Sequence, residues 1–475
     1  MITFFISLVA LILGYIIYGS IAERVFGTNY NNQTPANKMN DGVDYVPLPW
    51  WRIFLIQFLN IAGLGPIFGA IAGAMWGPIA FLWIVLGCIF GGAIHDFFSG
   101  MMSLRLNGLS IPEIIGKYLG LEMKQFTRLF TVFLMIIVGA VFIVGPAKII
   151  ESLTPEALTF TFWVWVVFIY YILATLLPID KLIGRIYPIF GFALIFMAVS
   201  LTVALFVKGY TIPELTFSSF TNMKTNPDKF PVFPMLFVTI ACGAISGFHA
   251  TQSPLMARCI TNEKYGKRVF YGAMITEGIV ALIWAAIAMS FFGGVKELNV
   301  TMTENKDNAA WVVNVISHSL LGQIGSVLAI LGVVAAPITS GDTAFRSARL
   351  IVADFLNYKQ QKIKNRIFVS LPLFAAGFLL TQIDFGIIWR YMAWSNQTLA
   401  TIVLWTISVF LVLEKKFYWM SLIPAIFMTA VCSTYLLVAP EGFQMATRIA
   451  YPIGLGIALL ITLLFFYRMF WRKRG

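Results

Sequence analysis

The sequence predicts an all-α integral membrane protein with about 13 transmembrane helices, ten of which form a five-plus-five inverted repeat. Three observations predict this fold class. The 475 residues are 59% hydrophobic and only 11% charged, whereas soluble domains average about 25% charged residues. Apolar runs long enough to cross a bilayer recur along the whole chain. Two of these runs, five runs apart, are interrupted by glycine and proline.

Thirteen apolar segments are candidates for membrane helices, because each approaches the roughly 20 residues that span a bilayer. Their continuous hydrophobicity favours helices over the alternating strands of a β-barrel. The first segment is interpreted as a retained helix, since no basic residue precedes its apolar run as in a signal peptide. The segments are 2–20, 52–77, 79–104, 128–150, 160–178, 186–207, 233–258, 269–293, 312–345, 366–382, 388–412, 417–437 and 449–469.

The basic residues predict the orientation of the chain. With the N-terminus outside and the segments alternating, the inside segments contain 25 of the 33 Lys and Arg residues. The densest inside loop is 346–366, and Arg472, Lys473 and Arg474 place the C-terminus inside. The net charge of +12 is therefore assigned to cytoplasmic loops, and it does not indicate nucleic acid as a partner.

The two interrupted segments predict the domain organisation. The second reads Asn60-Ile-Ala-Gly-Leu-Gly-Pro-Ile-Phe-Gly69, and the seventh contains small and polar residues from Cys242 to Pro254. An offset of five helices gives the two segments opposite orientations in the bilayer, as in an inverted repeat. We expect an N-terminal helix and loop at 1–51, the first repeat at 52–207, the second at 208–412 and two peripheral helices at 413–475.

Interruptions of this kind predict a substrate site, because backbone groups freed at membrane depth must line a cavity or meet a ligand. Half-helix N-termini suit a carboxylate. The blander interpretation is that small residues only let helices pack closely. The candidate substrate-binding residues are Asn60, Gly63, Gly65, Ser246, Gly247, His249, Gln252, Trp394, Asn396 and Gln397.

Ionisable residues inside the membrane are costly and mark candidates for ion coupling. Asp96 is one candidate, the alternative being a structural partner for Arg105. Asp342 is another, either for proton coupling or in a pair with Arg346.

The hydroxyls of Thr339 and Ser340 offer a sodium alternative, because hard cations prefer oxygen ligands. Glu277 is expected either to take part or to pair with Lys267 or Arg268 near the interface.

The sequence lacks the motifs that are typical of several other classes of protein. The chain has no GxxxxGK[ST] loop for ATP and no HExxH sequence, and its four cysteines are far apart. No cofactor, bound metal or enzymatic activity is therefore expected. The expected partners are a small-molecule substrate and membrane lipid, and the oligomeric state stays open.

Six blocks of the sequence, taken together, resemble the carbon starvation protein A (CstA) family of transporters over about residues 20–400. The chain is shorter than the better-known members, and Ala250-Thr-Gln-Ser-Pro254 differs from their stretch rich in Ser, Gly and Thr. The blocks are Asp41-Gly-Val-Asp-Tyr-Val-Pro47, Asn60-Ile-Ala-Gly-Leu-Gly-Pro66, Gly92-Ala-Ile-His-Asp96, Gly243-Ala-Ile-Ser-Gly-Phe-His249, Pro337-Ile-Thr-Ser-Gly-Asp-Thr343 and Trp389-Arg-Tyr-Met-Ala-Trp-Ser-Asn-Gln397.

The resemblance implies a LeuT-like core of the amino acid–polyamine–organocation superfamily in a bacterial cytoplasmic membrane. It also implies import of peptides or pyruvate, with proton coupling for the pyruvate carriers. In LeuT-like sodium symporters, a helix corresponding to that of Thr339 and Ser340 supplies paired hydroxyls to sodium. We expect a proton-coupled importer of small carboxylates. The alternatives are a sodium-coupled amino acid symporter and a membrane-embedded sensor that binds without translocating.

Overall fold

The computed structural model describes residues 1–176, 183–360 and 362–471. Arg472, Lys473 and Arg474, which the charge pattern places inside, lie outside the described residues. The described part of the chain is built of helices, with one isolated parallel bridge between Leu48 and Ile260. The predicted all-α class is confirmed.

In the described ranges, 18 helical elements form the architecture, and several of them are joined across short π-helical turns. They are α1 (Ile2–Phe26), α2 (Trp50–Ala62), α3 (Gly65–Ala74), α4 (Ile79–Arg105), α5 (Ile111–Leu119), α6 (Leu121–Leu153), α7 (Phe160–Leu176), α8 (Ile183–Val207), α9 (Val232–Thr239), α10 (Gly247–Ala257), α11 (Glu263–Phe291), α12 (Val295–Glu304), α13 (Ala309–Leu328), α14 (Ala335–Phe355), α15 (Ile363–Leu380), α16 (Phe385–Leu413), α17 (Trp419–Val438) and α18 (Thr447–Trp471).

Nine of the described helices are long and apolar enough to cross a membrane, and the bent pair α2 and α3 makes a tenth span. The described part of α7 has 17 residues, and α9 and α10 are short halves on either side of a break. The multi-pass membrane fold is therefore confirmed, while the count of 13 remains a prediction.

The ninth predicted segment, 312–345, has the wrong bounds. Helix α13 already begins at Ala309 and is kinked at Gly322, where φ is +61°. After a π-helical turn, α14 continues to Phe355. Arg346 and Arg349, which the sequence places in a cytoplasmic loop, are therefore buried helical residues. The hydropathy pattern ends the segment too early because a hydropathy scale scores every arginine as a residue exposed to water.

Helix α1 lies against α4 and α11 through two glycines. A Cβ atom on Gly14 would lie 2.6 Å from Ile89, and one on Gly19 would lie 3.2 Å from Tyr271. The N-terminal end of α1 is held by Glu214, which accepts hydrogen bonds from the backbone and hydroxyl of Thr3. Burial alone would raise the pKa of Glu214, but the hydrogen bonds from the N-terminal ammonium and Thr3 lower it to about 2.

Candidate functional site

The first break separates α2 from α3 and bends the chain by 53°. Gly63 has φ +37° and ψ −138°, a conformation that residues with a side chain rarely adopt. Pro66 has no backbone N–H and lies in the first turn of α3, the position where a helix does not need that donor. The sequence therefore both breaks the helix and restarts it, as predicted.

The second break separates α9 from α10 and comprises residues 240–246. The freed carbonyl of Ile240 accepts a hydrogen bond from the indole of Trp83 at 3.0 Å. At the start of α10, the backbone N–H of Phe248 donates to Oδ1 of Asn396 at 2.8 Å. The Asn396 side chain therefore caps α10 from another helix. It satisfies one of the backbone N–H groups that have no partner within the first turn of a helix.

The two breaks touch each other. A Cβ atom on Gly65 would lie 2.2 Å from the Cβ of Cys242, and one on Gly92 in α4 would lie 2.2 Å from the backbone oxygen of Ala244. A Cβ atom on Gly247 would lie 2.5 Å from the backbone oxygen of Asn396 on α16. Small residues therefore let the breaks and two supporting helices converge, so the packing and the site interpretations are compatible here.

A chain of buried ionisable groups lies beside the second break. Asp96 on α4 contacts two imidazoles, with Nδ1 of His95 at 2.7 Å and Nδ1 of His249 at 2.9 Å. Nε2 of His249 lies 3.4 Å from Oε2 of Glu277 on α11. All four side chains are fully buried. Asp96 is therefore not the partner of Arg105, which instead pairs with Glu263 at 3.1 Å.

Sequence reasoning missed Cys242 in this cluster and left the role of Glu277 open. Glu277 contacts His249 rather than Lys267 or Arg268, and its two carboxylate oxygens have no hydrogen-bond partner among the described residues. Cys242 completes a group with His249 and Glu277 in which one potential ligand atom of each lies within 4.8 Å of the others. The available signal was an acidic residue in an apolar helix, but its partner lies 28 residues away in sequence, on another helix.

Three predicted substrate residues keep polar atoms free at the breaks. Both amide atoms of Asn60, Oε1 of Gln252 and Oε1 of Gln397 are buried without a hydrogen-bond partner in the described part of the chain. Buried polar groups are normally satisfied, so these unpaired atoms distinguish three of the predicted residues from their surroundings. Trp394 points elsewhere, because its indole donates to the carbonyl of Cys432 on α17.

The hydroxyl pair on α14 faces the last turn of α2. The single hydroxyl proton of Ser340 can be donated to the carbonyl of Leu59 at 3.1 Å or to that of Ala336 at 2.9 Å. Thr339 donates to the carbonyl of Ala336 at 2.7 Å. Hydroxyl and carbonyl oxygens from two helices thus gather at one place, which is the donor set that a sodium ion prefers.

Asp342 lies in a different cluster, between α14 and α8. Its Oδ2 accepts a hydrogen bond from Tyr187 at 2.7 Å. One turn further along α14, Arg346 donates to the carbonyl of Ala174 and lies 3.7 Å from Asp44 of the loop before α2. This cluster involves none of the residues that surround His249 in the described contacts, so the two predicted proton-coupling carboxylates lie in separate environments.

The candidate site is closed in this conformation. Asn60, Ser246, His249 and Gln252 are fully buried. Two cavities of about 560 and 480 Å³ lie instead where α1 meets α2 and the start of α11, and they share Tyr15, Trp50 and Arg268. A molecule from solution could therefore reach the breaks only after the surrounding helices move.

Two solved structures share the fold of this chain. MhsT in complex with L-phenylalanine aligns with a TM-score of 0.55 at 13% identity, over 86% of this chain and 97% of MhsT. A manganese transporter of Eremococcus coleocola aligns with a TM-score of 0.52 at 11% identity, over 90% and 98%. These likenesses show the fold alone, and they confirm the predicted LeuT-like core.

Sequence relatives are named as transporters where they carry a functional name. The "Peptide transporter CstA" of Bacillus subtilis is 26% identical over 83% of this chain and 82% of its own length. The "Pyruvate/proton symporter BtsT" of Escherichia coli is 29% identical over 57% of this chain and 46% of its own length. An "Uncharacterized membrane protein" of Haemophilus influenzae is 44% identical over 62% and 91%.

These relatives support a secondary transporter rather than an enzyme. The family model for carbon starvation protein CstA matches residues 1–162, 147–323 and 293–435, which together span nearly the whole chain. The chain therefore belongs to the carbon starvation protein CstA family.

Proposed function

We propose that this protein imports small carboxylate-bearing nutrients, pyruvate or short peptides, in symport with protons. The observation that carries the proposal is the buried chain of Asp96, His249 and Glu277 beside the second break. Two relatives, named as a peptide transporter and as a pyruvate/proton symporter, support the substrate class.

The proton carrier in this proposal is the Asp96–His249 pair. A desolvated carboxylate favours protonation, whereas a neighbouring imidazolium favours its charged form. Movement of α10 relative to α4 would change the contact between the two side chains, and with it the affinity for a proton. Glu277, on the opposite side of the His249 ring, gives the proton a second acceptor.

The substrate in this proposal binds where the two breaks meet. The unpartnered Nδ2 of Asn60 offers a donor to a carboxylate, and the N-terminus of α10 adds the partial positive charge of a helix end. Gln252 and Gln397 supply further free acceptors. A small carboxylate would accept the hydrogen bond that Nδ2 of Asn60 lacks, and the N–H groups of a short peptide would donate to the free amide oxygens.

A sodium-coupled carrier of amino acids is the second candidate. The convergence of Thr339, Ser340 and the carbonyl of Leu59 favours it. It differs from the first candidate in the cation and in the residues on which coupling depends. A sensor that binds without translocating is the remaining alternative.

Uptake into proteoliposomes of the purified full chain distinguishes these candidates. Labelled pyruvate and a labelled dipeptide are offered in parallel, first with an inward proton gradient and no sodium, then with sodium and no proton gradient. We expect accumulation with protons alone. Accumulation only with sodium would favour the second candidate, and binding without uptake under either gradient would favour a sensor.

A further inference from the structure

Three side chains from two helices and the break between α9 and α10 converge at one point. They are the thiol of Cys242, the imidazole of His249 and the carboxylate of Glu277, with one potential ligand atom of each within 4.8 Å of the other two. All three residues are buried. We propose that they bind a divalent transition-metal ion of the zinc class.

The separation between His249 and Glu277 fits a shared cation better than a hydrogen bond. Their Nε2 and Oε2 atoms are 3.4 Å apart, and neither has a hydrogen-bond partner in the described part of the chain. In tetrahedral zinc sites the metal lies about 2.0–2.2 Å from each nitrogen or oxygen ligand. Two such ligands then lie roughly 3.3–3.5 Å apart, as these two atoms do.

Asp96 supplies the supporting contact that metal-binding histidines need. Its carboxylate lies 2.9 Å from Nδ1 of His249. With Asp96 ionised, that nitrogen must carry the proton, because a carboxylate only accepts hydrogen bonds. The lone pair of the neutral ring is then on Nε2, directed towards Glu277. Carboxylate, histidine and metal are commonly arranged in this order.

The donor atoms select the class of metal. A thiolate and an imidazole suit zinc or cobalt, whereas sodium, magnesium and calcium prefer oxygen ligands alone. Three protein ligands leave a fourth position open, as in sites where zinc also binds a small molecule. The hydroxyl of Ser246, 3.6 Å from Sγ of Cys242, is the neighbouring polar group.

The inference deepens the proposed function, because a metal would compete with protons for the same atoms of His249 and Glu277. The main test of the metal site is a binding measurement, which does not require transport. Cells are grown with added zinc, and the full chain is purified without chelator. A second sample is stripped of metal and titrated with cobalt.

We expect one metal ion per chain and a thiolate-to-cobalt charge-transfer band. Cys242→Ser should remove the band and weaken cobalt binding at least tenfold, with similar weakening in His249→Gln and Glu277→Gln. Asp96→Asn should weaken binding about 10–100-fold, as loss of an outer-shell partner does. Cys432→Ser is the matched control, because this buried cysteine contacts Thr401 rather than the cluster.

Two results would overturn the metal site. One is less than stoichiometric binding in the well-folded wild type, and the other is an unchanged cobalt spectrum in Cys242→Ser. In proteoliposomes, zinc should inhibit uptake by the wild type at least tenfold more strongly than uptake by Cys242→Ser. A lack of proton-driven uptake in metal-free protein would refute the proposed function alone, because metal binding is measured without a gradient.

Discussion

The Asp96 carboxylate is the residue on which proton coupling should depend. It contacts both His95 and His249. Asp96→Asn keeps the size of the side chain but removes the titrating group. We expect proton-driven accumulation to fall to background, while exchange of labelled for unlabelled substrate continues. Asp228→Asn, at an exposed position of the loop before α9, is the control. Unchanged accumulation in Asp96→Asn would remove this residue from the mechanism.

The hydroxyl of Ser340 distinguishes a structural role from a sodium site. Ser340→Ala leaves the buried carbonyl of Leu59 without this donor, which costs about 1–3 kcal/mol. We expect a lower Tm in detergent but an unchanged dependence of uptake on the proton gradient. Ser290→Ala is the control, since Ser290 bonds only to its own helix in the contacts described. Loss of a sodium-stimulated uptake in Ser340→Ala would instead support the sodium candidate.

At the residue scale, the sequence shows which residues have unusual chemistry more reliably than it shows which residues they contact. Asp96 and His249 were predicted separately, as a coupling residue and a substrate residue, and the structure places them 2.9 Å apart. Cys242 was not predicted as a site residue and the role of Glu277 was left open, because the sequence of a single helix does not show which side chains face it. Trp394 belongs to a tryptophan-rich segment, and its hydrogen bond to α17 depends on tertiary packing.

At the element scale, the contact between α4 and the second break should be sensitive to one methyl group. A Cβ atom on Gly92 would lie 2.2 Å from the backbone oxygen of Ala244, and backbone cannot rotate away. We expect Gly92→Ala to lower the free energy of unfolding by about 1–3 kcal/mol. Thermal unfolding in detergent measures this, together with the rate of uptake.

Gly456→Ala in α18 is the matched control, because a Cβ atom there meets nothing within 4 Å. Replacement of a helical glycine by alanine at an open position is expected to be neutral or stabilising by up to about 1 kcal/mol. Equal Tm values for the two variants would show that the contact between α4 and the break is not tightly packed.

The broken helices were predictable because their cause is local. Gly63 and Pro66 impose a backbone that a continuous helix cannot accommodate, and a five-helix offset relates this segment to the seventh. The end of α14 was not predictable in the same way. Arg346 and Arg349 remain inside the protein because Asp44 of the preceding loop lies 3.7 and 3.8 Å from them, and that loop is some 300 residues distant in sequence.

At the scale of the whole molecule, the charge bias predicts an orientation that labelling can test. Lys306 and Lys359 are exposed in loops predicted to lie on opposite sides of the membrane. In intact cells, we expect a membrane-impermeant maleimide to label Lys306→Cys, but to label Lys359→Cys only after permeabilisation. The four native cysteines are buried and give a low background. The reverse pattern would invert the predicted topology.

Helix α6 is longer than the membrane is thick. Its 33 residues extend about 50 Å, whereas the hydrocarbon core measures about 30 Å. The helix must therefore tilt, project into water, or both. Along its length it contacts the first break at Gly145 and helix α14 at Gly139.

A tilted helix responds to bilayer thickness, because mismatch between apolar length and hydrocarbon depth is relieved by changing the tilt. A change in the tilt of α6 would alter its contacts with the first break and with α14 at the same time. We expect the rate of uptake to pass through a maximum as the acyl chains of the liposome are lengthened. The lipid composition of the host membrane would then set the working rate of the transporter without any specific lipid ligand.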